Sequence, residues 1–116
     1  MRVSYDTMYQ EFVRVLLKRG FTKEKAELSA KLYADASRDG VYTHGLNRFP
    51  KFMTSIDKGC VNIQAEPVLK ESFGFFERYD GQQGPGNLNA YACMKRTIEL
   101  AKKHTMGCVA LSNTNH

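Results

Sequence analysis

A chain of 116 residues with 42% hydrophobic and 25% charged side chains is one folded domain's worth of sequence, enough to bury about two-thirds of the surface its unfolded form exposes. No apolar run approaches the ~20 residues of a membrane span, and Met1 to Asp6 lack the apolar core of a signal peptide, so neither membrane nor leader is expected. The net charge of +5 would suit a polyanion if the basic residues clustered, but they fall in ones and twos, as in Lys18-Arg19, Lys95-Arg96 and Lys102-Lys103, which sets nucleic acid aside as a partner.

Cys60, Cys93 and Cys108 are an odd set without a Cys-x-x-Cys pair. That argues against a disulfide framework and a zinc site, and for a reducing, cytoplasmic setting.

In chain order, Ser4 is placed to cap a first helix that ends by Gly20, with Met8, Phe12, Val15 and Leu16 as its inward stripe. Thr22 caps a second, which stops near Gly40. Phe21 and Ala26 are spaced for a hydrophobic staple, and Ala26, Ala30, Tyr33 and Ala34 predict close helix–helix approach. A third stretch has Thr43 as a possible N-cap, which would put His44 in the first helical turn. Pro50 requires that this helix bend there or start later, near Asn47. Phe49, Phe52, Met53 and Ile56 form its core stripe, and Gly59 closes it.

His44 and Arg48 stand four residues apart, on one face if the segment is helical. An imidazole exchanges protons near neutral pH and a guanidinium clamps a carboxylate, so the pair suits an anionic substrate whose oxygen gains or loses a proton. Spacing alone leaves a structural or solvated histidine as the commoner case.

After Gly59 the pattern changes. Val68–Ser72 and Phe73–Tyr79 read as short strands, with Phe73, Phe75 and Tyr79 on one core or interface face. The Gly81-Gln82-Gln83-Gly84-Pro85-Gly86-Asn87 run opens a helix from about Leu88 to Lys103, lined by Leu88, Tyr91, Met94, Ile98 and Ala101. A strand at Cys108–Leu111 follows. The glycine order is the reverse of the dinucleotide fingerprint, so a flexible turn is preferred to a phosphate cradle. Ser112 to His116 crowd polar residues after that strand, where both active sites and disordered ends occur.

The segment Thr43-His44-Gly45-Leu46-Asn47-Arg48-Phe49-Pro50 resembles the Ser-His-Gly-x-x-Arg-x-Pro signature of the malate/L-lactate dehydrogenase family that does not use a Rossmann fold. The similarity extends over essentially all of the chain, and Thr43 stands where many relatives have Ser. The resemblance implies a mixed α/β fold forming the N-terminal part of a longer oxidoreductase. Residues 1–59 would be the helical segment with the catalytic histidine, 60–116 a strand–helix–strand segment, and the cofactor-binding region would be absent. It implies NAD as cofactor (NADH first, NADP not excluded), a keto or hydroxy acid as substrate, a diketo sugar acid in particular, and no metal. His44 would be the general acid/base, Arg48 would hold the substrate carboxylate, and His116 and Asn115 would line the same pocket. A homodimer with the active site near the subunit boundary is implied as well. Against this stand a non-catalytic basic helical binding module and an enzyme fragment inactive by itself.

Overall fold

A computed structural model describes residues 1–115, so His116 lies outside the described residues. The chain forms two compact units, Met1–Cys60 and Val61–His116. Mixed α/β architecture is what the sequence predicts: helices first, then a small sheet with one helix. No helix among the described residues is long and apolar enough to cross a membrane.

In the first unit, α1 spans Tyr5–Lys18 and α2 spans Lys23–Arg38. The Ser4 hydroxyl accepts from the Thr7 amide at 3.1 Å and the Thr22 hydroxyl from the Lys25 amide at 3.3 Å. Each cap satisfies one of the orphan donors of a helix start. Ala26, Ala30 and Ala34 are wholly buried, as are Phe12 and Leu16 opposite them, so small side chains let the two helices approach closely. Phe49 and Phe52 of α3 (Phe49–Asp57) complete this core. The Phe49 ring lies 4.2 Å from that of Phe12 and 5.3 Å, edge-on, from that of Tyr33. Arg19 donates twice to the Asp57 carboxylate, at 3.1 Å each, tying the end of α1 to the end of α3.

Two expectations for the third helix are corrected. Thr43 does not cap it, because Tyr42–His44 form a separate 3-10 turn, and His44 therefore precedes the helix instead of occupying its first turn. The helix starts at Phe49, later than Asn47, with Arg48 at the N-cap position. Pro50 sits inside the first helical turn, where its missing amide hydrogen would have had no intrahelical partner, so it starts the helix without bending it.

In the second unit, β1 (Val68–Phe73) and β2 (Phe76–Asp80) form an antiparallel hairpin closed by Gly74 and Phe75, with Phe73 opposite Phe76. Gly74 has φ +61, which a side chain would disfavour. β3 (Cys108–Ser112) pairs parallel to β2, and α4 (Gly86–His104) is the crossover between them.

Two predicted faces differ from those observed. Of the core and interface readings of Phe73 and Phe75, the core one is set aside: they are 62% and 43% exposed, and Phe75 lies in the turn. β2 instead turns Glu77 inward, 3% exposed. Along α4 the buried stripe runs through Asn89, Cys93 and Leu100, while Tyr91, Met94 and Ile98 are exposed. Both stripes have helical spacing; choosing the bulkier apolar residues picks the wrong one, because the true one carries Asn and Cys.

Candidate active-site elements

The His44 stretch is shaped by the end of α2. Gly40, at φ +87, ends that helix, and the Val41 amide returns to the Ala36 carbonyl at 2.8 Å. The chain then crosses Ser37. A Cβ on Gly45 would stand 2.0 Å from Ser37 Oγ and 2.7 Å from the Ser37 nitrogen, a clash with backbone that only glycine avoids. In the same contact the Leu46 amide donates to Ser37 Oγ at 2.7 Å. The Arg48 amide donates to the Gly45 carbonyl at 3.0 Å, and the buried Phe49 follows. His44 and Arg48 are thus brought onto one short segment by a glycine packed on a helix and an aromatic anchor, not by sharing a helix face.

Their settings differ. His44 is exposed, with Nδ1 3.1 Å from Thr43 Oγ1. Arg48 is half-buried at the start of α3, where the positive end of the helix dipole opposes a cation. Burial pushes the Tyr33 hydroxyl well above the ordinary tyrosine range, and the nearby Arg48 charge partly counters that shift.

The second unit supplies the other expected residues. The Gly81–Asn87 turn is not loose. The Gly81 amide donates to Ser112 O at 2.8 Å and the Gln83 amide to Asn113 O at 2.7 Å, while the Asn115 amide donates back to Gly84 O at 3.0 Å. Asp80 Oδ1 accepts from the Gln82 amide and from Asn113 Nδ2, which holds its carboxyl below the usual carboxylate range. Asn115 is therefore half-buried on an ordered strand end. Asn89 lies beneath, 1% exposed, its amide nitrogen donating to Gly81 O at 3.0 Å and Thr114 Oγ1 at 2.8 Å. His116, expected in the same pocket, is outside the described residues.

Glu77 and Arg96 form a two-pronged ion pair at 2.7 and 2.9 Å, with the Tyr79 hydroxyl also donating to Glu77. Arg96 first, and Tyr79 after it, hold the buried carboxyl below its ordinary range. Sequence reading assigns no role to Ser37, Glu77 or Asn89. Asn89 alone carried a signal, a polar residue in step with Cys93 and Leu100. Among the described residues no three His, Cys, Asp or Glu side chains gather as a metal site.

Comparison with known proteins adds a second line of observation. The family model described as malate/L-lactate dehydrogenase matches residues 3–116. The chain is 45% identical over all 116 residues to a 2,3-diketo-L-gulonate reductase of Pasteurella multocida and 46% identical to one of Haemophilus influenzae, and it spans 35% of the length of each. Among solved structures, malate dehydrogenase from Entamoeba histolytica superposes over the whole chain with a TM-score of 0.94 at 35% identity, the chain covering 32% of it. Sulfolactate dehydrogenase from Methanocaldococcus jannaschii gives a TM-score of 0.94 at 28% identity, with 34% of its chain covered. The signature around His44, the fold and these matches agree, and the chain belongs to the malate/L-lactate dehydrogenase family.

Proposed function

We propose that the complete protein is an oxidoreductase that reduces 2,3-diketo-L-gulonate, or a related 2-keto sugar acid, to the hydroxy acid with a nicotinamide nucleotide, NADH in the first instance. The observation that carries this reading is identity of 45% with a 2,3-diketo-L-gulonate reductase along every residue of the chain. The glycine-rich turn does not fit a dinucleotide phosphate: its amides at Gly81, Gln83 and Gly84 are already spent on backbone carbonyls. The nicotinamide, when bound, supplies hydride to the substrate carbonyl carbon. The residues of this chain bind, orient and move a proton.

In this reading Arg48 grips the substrate carboxylate with its planar fork. His44, protonated, gives its proton to the carbonyl oxygen as negative charge builds there, and takes it back in the reverse direction. Its exposed position on a turn pinned by Ser37 supports that role, because a proton donor must reach substrate and regain its proton from solvent. The family resemblance also assigns Asn115 and His116 to substrate binding. The protein acts as a homodimer in the cytoplasm, with its active site near the subunit boundary and without a metal. The apolar side chains left bare on α4, among them Met94 at 60% exposure, support burial of that face in the assembled protein. Exposed, unpaired Cys60 and Cys108 suit a reducing compartment.

The test is steady-state oxidation of NADH by the complete protein with 2,3-diketo-L-gulonate. His44→Ala should lower kcat by roughly 10²–10⁴, the usual worth of a positioned proton donor; turnover at the wild-type rate refutes the role. Arg48→Lys should act mainly on KM, since a point charge replaces a two-pronged donor.

A further inference from the structure

The geometry points to Asn89 as the positioning residue for the strand-end part of the substrate pocket, acting through Thr114 on Asn115. The inference rests on the reading that Asn115 lines that pocket, and it goes further by naming what fixes it there. Asn89 is a buried polar side chain on an otherwise apolar helical stripe, and its side-chain nitrogen is committed on two sides, to Gly81 O and to Thr114 Oγ1.

One amide group thereby joins the start of the glycine-rich turn to the end of β3. The backbone closes the same loop: Gln83 donates to Asn113 O, and Asn115 donates to Gly84 O. Asn89 is one of the close neighbours of both glycines, with Thr114 Cβ 2.9 Å from a Cβ on Gly81 and the Gly81 carbonyl 3.0 Å from one on Gly84. A Cβ on Gly81 would lie 2.7 Å from Asn89 Nδ2, and one on Gly84 would lie 3.0 Å from it. Asn113 adopts φ +55, a conformation that asparagine tolerates, and it turns the chain just before Thr114. A leucine at position 89 would fill the space and the Gly81 carbonyl would keep the Gly84 amide, at 2.8 Å, but the Thr114 hydroxyl would lose the donor that Asn89 supplies. The polar residue is thus required by the strand end and not by the core.

The experiment pairs backbone amide hydrogen exchange with steady-state kinetics on the complete protein, using NADH and 2,3-diketo-L-gulonate. Thr114→Val keeps the shape and removes the acceptor. The amides of Gln83 and Asn115 should then exchange about tenfold faster, with the α2 amide of Ala26 unchanged, and KM should rise by a similar factor while kcat moves less. Thr114→Ser should restore both. Asn89→Asp, which removes the side-chain donors without changing shape, should reproduce the valine pattern and serves if that variant fails to fold. A purely structural bond would lower thermal stability and leave KM alone.

Unchanged exchange at Gln83 and Asn115 overturns the clamp. Faster exchange with an unaltered KM overturns its role in substrate binding. A wild-type protein without reductase activity overturns the underlying reading instead, and the exchange measurement separates that failure from a failure of the clamp.

Discussion

The His44 turn and the strand end at Asn115 solve the same problem by different means. Each holds a loop with one polar helix side chain and a glycine that tolerates no Cβ: Ser37 with Gly45 in the first unit, Asn89 with Gly81 in the second. The first uses a single half-buried hydroxyl as acceptor and leaves the imidazole in solvent. The second uses a buried amide with two acceptors and closes several backbone bonds around it. A proton donor needs access more than rigidity, and a wall residue needs the reverse. The difference teaches that fixation here is graded by the job each residue is proposed to do.

The sharpest way to break the comparison is Gly45→Ala. Its Cβ would meet Ser37 backbone as well as its hydroxyl, so the loop must move as a whole. A loss of about 1–3 kcal/mol in stability is expected from overpacking, with catalytic loss larger than stability predicts, because His44 is displaced. Urea unfolding alongside kcat measures both; wild-type values would show that the loop has slack. A smaller effect sharpens the other side. Arg96, and then Tyr79, depress the Glu77 pKa, so Glu77 contributes stability in full above the ordinary carboxylate pKa. That contribution is lost as pH falls through the lower folded value, below about 4.5. Glu77→Gln should therefore lower the midpoint of unfolding at pH 7 and flatten its decline in acid. An equally steep acid decline would exclude Glu77 as its cause.

How much of this was legible beforehand depended on whether the signal was local. Ser4 and Thr22 were readable as caps and Phe12 with Ala26, Ala30 and Ala34 as core, because capping and helical period act within a few residues. The strand–helix–strand order was readable for the same reason. The start of α3 was not, since Pro50 allows more than one placement and tertiary packing of Gly45 on Ser37 chose among them. The inward face of α4 was misread because apolar size favoured Tyr91, Met94 and Ile98, whereas Asn89 is buried for its hydrogen bonds. His44 and Arg48 were singled out from their spacing and the family signature together. Ser37 and Asn89, the residues holding the two loops, touch partners nine and 25 positions away, beyond any local pattern.

Ser37→Ala is the mildest probe, and it tests whether the first loop is held by a bond or by shape. The change removes the acceptor for the Leu46 amide and adds nothing, and Gly45 can still lie on α2. One exposed hydrogen bond contributes about 0.5–1.5 kcal/mol, so the protein should fold with nearly unchanged thermal stability. The Leu46 amide is midway between His44 and Arg48. Its release should loosen their mutual placement, lowering kcat/KM several-fold while the pH dependence keeps its shape. Should kcat/KM stay at the wild-type value, the packing of Gly45 and the anchor at Phe49 suffice to hold the turn, and the two loops differ still more than their geometry suggests.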